Sequence, residues 1–202
     1  MKTPSTQANA TTGAASQARL LRAKQLRMQG LTSTAMSRLV ASGQWVRVAR
    51  GLYSPTGMDT AAHISLAIVA ARVPQAVLCL LSALQFHGLT SELARQVWIA
   101  MPRASHVPKL GYPPLKMVQC SAQALEAGVE VHAHEGVNIR VYSVAKTVAD
   151  CFKHRNKIGL DVAIAALKEA RANQRATVDE LWQFAKINRV TAVMRPYMEA
   201  IE

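Results

Sequence analysis

LTSTAMSRLVASGQWVRVARGLYSP, the stretch from Leu31 to Pro55, sets the reading of the chain. Met36, Leu39 and Val40 recur at helical spacing and would anchor one side of a helix, while Ser33, Thr34, Ser37 and Arg38 fall on the other. Thr32 or Ser33 can cap its start, and Gly43 stands where a left-handed C-terminal cap is expected. Trp45 to Arg50 is a β-prone run that places Val46 and Val48 on one face and Arg47 on the other. Gly51 then turns the chain into Leu52 and Tyr53, and Pro55 and Gly57 end the unit. A polar-faced helix followed by a tight basic hairpin is the layout of a winged helix-turn-helix, whose helix can lie in a DNA major groove.

Charge points the same way. The 202 residues carry a formal net charge of +12, which favours an anionic partner. Eight bases (Lys2, Arg19, Arg22, Lys24, Arg27, Arg38, Arg47, Arg50) precede the first acid, Asp59, so the helix and hairpin hold much of the excess. A run of Lys and Arg is often no more than a solvated surface. Here the bases flank elements of the right lengths for DNA.

Half of the residues are hydrophobic, enough for a packed core, and the length suits one large or two small domains. No apolar stretch of membrane-spanning length runs without a charge or a strongly polar break, so no membrane span is expected. Met1 to Ser16 is rich in Ala, Thr, Ser, Gln and Asn without an apolar centre, and reads as a disordered or frayed lead. Cys79, Cys120 and Cys151 are odd in number and widely spaced, as suits buried thiols in a reducing cytoplasm.

The periodicity predicts a helix from Ala18 to Gln29, with Ala18, Leu21 and Met28 sharing a face and Arg22 or Lys24 turned to phosphate. The DNA-binding domain is thus expected over 17–57. After a linker, 60–202 forms the second domain. It opens with apolar helices at Thr60–Val73 and Val77–Phe86, the latter closed by Gly88, followed by strands at Gln96–Met101 and Lys116–Cys120. A hairpin follows at Val129–His134 and Val137–Tyr142. Helices fill the rest. Val144, Val148, Cys151 and Phe152 mark the first face, Leu160, Ile164 and Leu167 the next, and Thr177 with Glu180 forms a capping box. The predicted class is α+β: an N-terminal winged helix-turn-helix, then a larger α/β domain with a small mixed sheet packed by helices.

Tests for chemistry come out negative. No Asp or Glu is followed two residues later by Lys, as a restriction-type nuclease site needs. No two acids stand at i and i+2, as a nucleotidyltransferase needs to hold magnesium. Phosphate-cradling glycine patterns and a G-x-S-x-G elbow are absent. His132 and His134 share a strand face and with a third ligand could hold zinc, but only Glu130 is near, and a polar strand face explains them more simply. His87 before Gly88 reads as a helix-end histidine favoured by the dipole. No enzyme, metal or cofactor is therefore expected.

Lys146 and Asp150, four apart on a helix, read first as an exposed ion pair and otherwise as a patch that engages a partner or nucleotide. Arg140, Lys153, His154, Arg155 and Lys157 crowd the same stretch of sequence and would form a second basic surface.

Three segments together resemble the AbiEi family: ARGLYSPTG (Ala49–Gly57), SALQFHGL (Ser82–Leu89) and YSVAKTVADCFKHRNKIGLDVAIAALKEA (Tyr142–Ala170). Members of that family are antitoxins of type IV toxin–antitoxin systems, associated with abortive infection. The resemblance spans most of the chain from Arg19, though the first helix is shorter than the family pattern. It implies a winged helix that represses its own operon at promoter repeats, and a C-terminal domain that counteracts a nucleotidyltransferase-like toxin without a stable complex. DNA reading would then fall on Ser33, Thr34, Ser37 and Arg38, with Arg47 and Arg50 in the wing. Arg22 and Lys24 would contact the backbone. The antitoxic region would lie among Arg140, Lys146, Asp150, Lys153, Arg155 and Lys157. Two other readings compete: a stand-alone winged-helix regulator whose second domain senses a ligand or mediates assembly, and an enzyme acting on nucleic acid.

Overall fold

The chain divides into two compact units, Met1–Thr60 and Ala61–Glu202, and among the described residues the first holds two short helices, a hairpin and one added strand. A computed structural model describes residues 21–49, 51–56, 61–91, 94–134 and 137–201. The expectations for the lead, Met1–Ser16, and for Arg50 lie outside these residues.

In the first unit, β1 (Leu21–Arg22) leads into α1 (Ala23–Met28), α2 (Ser33–Ala41), β2 (Trp45–Ala49) and β3 (Leu52–Pro55). The strands order as β1-β3-β2, all antiparallel, with Arg47 opposite Tyr53 and a register irregularity between Arg47 and Ala49. Leu21, Leu26 and Met36 form the core, and Leu31, Trp45 and Tyr53 pack against it. Both helices end the same way. Gly30 (φ +86°) and Gly43 (φ +71°) take the left-handed conformation that lets the next residue's N–H reach back, Leu31 to the Leu26 carbonyl and Gln44 to that of Leu39.

Two expectations for this unit are corrected. The helix foreseen from Ala18 to Gln29 starts only at Ala23, because Leu21 and Arg22 are extended and pair with Tyr53 and Leu52 of the wing. Met28 is 80% exposed and shares no apolar face with Leu21, since Leu26 takes the inward position and a residue two further on points the opposite way. Trp45 is the β2 side chain that packs on this core, and strand alternation turns Val46, 47% exposed, to the other face from it.

The second unit contains α3 (Ala61–Arg72), β4 (Val77–Leu78), α4 (Leu80–Phe86), β5 (Val97–Pro102), β6 (Leu115–Cys120), α5 (Ala122–Glu126), β7 (Val129–His134) and β8 (Val137–Tyr142). Then come α6 (Val144–Lys153), α7 (Arg155–Ile158), α8 (Leu160–Ala172), α9 (Val178–Asn188) and α10 (Thr191–Glu199). Its mixed sheet has the order β6-β5-β4-β8-β7, parallel at β5–β6 and β4–β8 and antiparallel at β4–β5 and β7–β8. The helix foreseen over Val77–Phe86 is corrected: its first two residues are the central strand β4, pairing Leu78 with both Ile99 and Val141.

Helix α6 lies in the middle of the core with α4, α8 and α9 packed on it. The inward stripe of α8 is Ala163, Ala166, Leu167 and Ala170, and Leu160 is 37% exposed, so small residues rather than the foreseen Leu160–Ile164 pair let α8 approach α6. At α9 the capping box is formed, with Glu180 N–H donating to Thr177 Oγ1 at 3.2 Å and Thr177 N–H donating to Glu180 at 2.8 Å. Those bonds from Thr177 hold the Glu180 carboxyl below its usual range.

Candidate nucleic-acid interface

Thr32 caps α2, its hydroxyl accepting from Ala35 N–H at 3.2 Å. The first intrahelical bond runs from Met36 N–H to the Thr32 carbonyl, so the N–H groups of Ser33 and Thr34 precede the helical ladder and face outward at the positive end of the helix dipole. Met36 is the buried residue of α2, and Ser33, Thr34, Ser37 and Arg38 are all exposed. Ser37 donates its hydroxyl to the Ser33 carbonyl at 3.1 Å, which leaves its oxygen free to accept. Arg47 is exposed on β2, Lys24 on α1, and Arg22 at the junction of β1 and α1.

Arg27 was not among the residues the sequence singled out. It ends α1, is exposed, and lines a shallow depression of about 300 Å³ with Gly30, Leu31, Thr32 and Ser33, beside the first turn of α2. Its position just before Gly30 was the available signal: the last turn of the first helix lies next to the start of the second. From residue 21 to residue 56 the unit has bases and no acid. Guanidinium, free N–H groups and a helix N-terminus make a surface that suits phosphate oxygens.

The second group of singled-out residues is not one surface. Lys146 is 1% exposed, and its ammonium donates to Asp150 Oδ1 at 2.5 Å while lying 4.2 Å from the centre of the Tyr142 ring. Asn188 of α9 donates to the same carboxylate oxygen at 2.8 Å, and its own Oδ1 is buried without a hydrogen-bond partner. The exposed ion pair is thus corrected to a buried one, because α6 is covered on every side from Val144 to Phe152. A patch at these two residues for engaging a partner or nucleotide is corrected with it.

Arg140 is clasped by the Gln75 carbonyl at 3.1 Å and Glu126 at 2.7 Å, which neutralises it and removes it from the foreseen basic surface. Arg155 donates to the Phe152 carbonyl at 2.9 Å, and Lys153 and Lys157 face solvent.

His87 caps the end of α4, but its ring is buried and Nε2 donates to the Tyr142 carbonyl at 2.7 Å. Burial lowers its pKa, so the reading of a dipole-favoured, charged helix-end histidine is corrected. His132 is exposed and bonded to Glu130 at 2.9 Å, and the side chain of His134 lies outside the described residues. Among the described residues no three His, Cys, Asp or Glu side chains converge as metal ligands. Cys79 and Cys151 are buried and Cys120 half-buried, and burial pushes all three thiols up, away from the nucleophilic thiolate. Among the described residues no helix is long and apolar enough to cross a membrane.

None of the curated proteins matches the chain. A crystal structure of the RV2827C protein from Mycobacterium tuberculosis is similar to it, with a TM-score of 0.57 at 14% identity, over 87% of this chain and 69% of that one. At that identity the likeness speaks for the fold alone. Residues 14–56 match the family described as "Transcriptional regulator, AbiEi antitoxin", a segment that covers the helix pair and the hairpin and ends there. Over that segment the chain is similar to the AbiEi antitoxin regulators.

Proposed function

We propose that the chain is the antitoxin of a type IV toxin–antitoxin system: it represses its own operon by binding promoter repeats through α2 and the wing, and it opposes a nucleotidyltransferase-like toxin without a stable complex and without catalysis of its own. The observation that carries the DNA half is the polar, acid-free face of the first unit, where Ser33, Thr34, Ser37 and Arg38 are exposed on one helix with Arg47 on the adjoining hairpin. Arg27 beside the first turn of α2 adds a phosphate contact that fixes how deep the helix sits. The family match over residues 14–56 supports the antitoxin half.

Titration of the chain's own promoter against scrambled DNA of equal length tests the first half. Repression requires a preference for the promoter that persists as salt is raised, and equal affinity for both would refute it. Co-expression of the full chain with an adjacent nucleotidyltransferase-like reading frame tests the second: growth is restored, or the antitoxin reading fails.

A second reading has one observation in its favour. The second unit holds a cavity of about 220 Å³ whose lining includes Ser65, Gln85, Arg95, Gln96 and Tyr112. A regulator that senses a small polar ligand would use such a cavity, and it would bind promoter DNA without rescuing cells from any neighbour.

A further inference from the structure

Strand β7 closes one edge of the five-stranded sheet and β6 the other. The two edges are built differently. β6 carries Lys116, whose ammonium lies 4.6 Å from the centre of the Trp98 ring, and a lysine on an edge strand is a common guard against pairing with another chain. β7 has no lysine, no proline and no bulge: its register with β8 is unbroken over six residues, from Val129 opposite Tyr142 to His134 opposite Val137. Among the described residues, no backbone hydrogen bond outside the β7–β8 ladder involves β7. Val131, in its middle, is 61% exposed, which makes it one of the most exposed large apolar side chains of the unit.

We propose that β7 is the interface for a second copy of this chain, which adds antiparallel about a two-fold axis through Val131 and joins the two sheets into one. Symmetry and charge fix the register. A two-fold axis normal to the sheet keeps each face on its own side, so facing residues must be an even number of positions apart. With the axis at Val131, each Val131 meets the other, and Glu130 of each chain faces His132 of its neighbour. Moving the axis to Glu130 sets carboxylate against carboxylate, and moving it to His132 sets imidazole against imidazole. The His132 register also sets Glu130 opposite His134, but only the Val131 register pairs acid with base twice, sets no like groups face to face and covers the exposed valines with each other. Within one chain Glu130 and His132 already share a face and are hydrogen-bonded at 2.9 Å, so the second copy extends an existing contact.

The dimer is independent of DNA binding, and its test contains no DNA. Sedimentation equilibrium of the full chain from low to high micromolar concentration is expected to show a rise to twice the mass of one chain. Val131→Lys sets two ammonium groups face to face and is expected to weaken the dimer roughly tenfold or more. Its circular dichroism should be unchanged, since the side chain is exposed. Glu130→Lys alone should weaken the dimer, and Glu130→Lys combined with His132→Glu should restore it, which a loss of folding would not do. A chain that stays monomeric throughout, a dimer indifferent to Val131→Lys, or a charge swap that fails to restore pairing overturns the proposal. Where the dimer fails and promoter binding persists, the DNA reading stands without it.

Discussion

Helices α2 and α6 have nearly the same length, nine and ten residues, and use their polar side chains in opposite ways. α2 buries Met36 and turns its serines, threonine and arginine to solvent; α6 buries nine residues in succession, among them Lys146, Thr147 and Asp150. A polar side chain on the first is available to a partner, and on the second it is part of the core. The same residue types are therefore open to solvent in one unit and enclosed in the core of the other. Four experiments test that contrast.

The largest effect is expected from Lys146→Met or Asp150→Asn alone. Either change strands a charge or a carboxamide among apolar side chains, and breaking a buried pair on one side costs about 3–5 kcal/mol. Replacing both residues by apolar side chains of similar volume should recover most of that loss. Urea unfolding measures it, and single variants as stable as the parent would mean that the pair is not held as described. The opposite holds for α2: Arg38→Ala should leave unfolding within about 0.5 kcal/mol of the parent.

DNA binding gives the second effect. Arg38→Ala should remove about 1–3 kcal/mol of preference for the promoter over random sequence. Arg47→Ala should weaken binding to all DNA alike and flatten the salt dependence by about one unit of slope. Equal losses of preference in the two variants would mean that helix and hairpin do not divide the work.

What the sequence discloses follows the same division. In the first unit α2, Gly43 and the hairpin were legible because each rests on local chemistry: helical spacing, a capping hydroxyl and a left-handed glycine. Leu21 and Arg22 were misplaced in a helix because the pairing between β1 and β3 is set by contacts distant in sequence. In the second unit the β7–β8 hairpin and the Thr177–Glu180 box were legible for the same local reasons. The strand β4 was not, since two apolar residues that run on into an apolar helix have no period of their own. Nor was the burial of Lys146 and Asp150, because an i, i+4 pair looks the same on a solvated helix as on one enclosed by three others. Asn188, thirty-eight positions from Asp150, could not be linked to it from sequence at all.

Capping offers a third, smaller effect. Thr32 caps α2 and Ser143 caps α6, and replacing either by Ala should cost about 1 kcal/mol. The consequences should differ. With one buried residue to hold it, the first turn of α2 should fray in Thr32→Ala, which hydrogen exchange of residues 33–38 would register together with weaker promoter binding. The enclosed α6 should keep its protection in Ser143→Ala, and equal fraying in both would show that burial does not hold α6.

The smallest effect separates the units by pH. The first unit's described residues contain no histidine, whereas the second contains His87 and His154, and burial lowers the pKa of both. Below the ordinary histidine value of 6.5 the unfolded chain takes up protons that these folded rings do not, so stability falls as pH drops from about 6.5 toward their lowered pKa values. Glu180 works in the same direction, but its window opens only below the ordinary value of 4.5, because its folded carboxyl is held lower. Between those two values the loss should therefore belong to the histidines. His87→Gln should remove its share and leave that of His154, and hydrogen exchange should show protection declining in 144–158 before 33–49. A parallel decline in both stretches would mean that acid acts through the net charge of the whole chain, with no separate role for the buried rings.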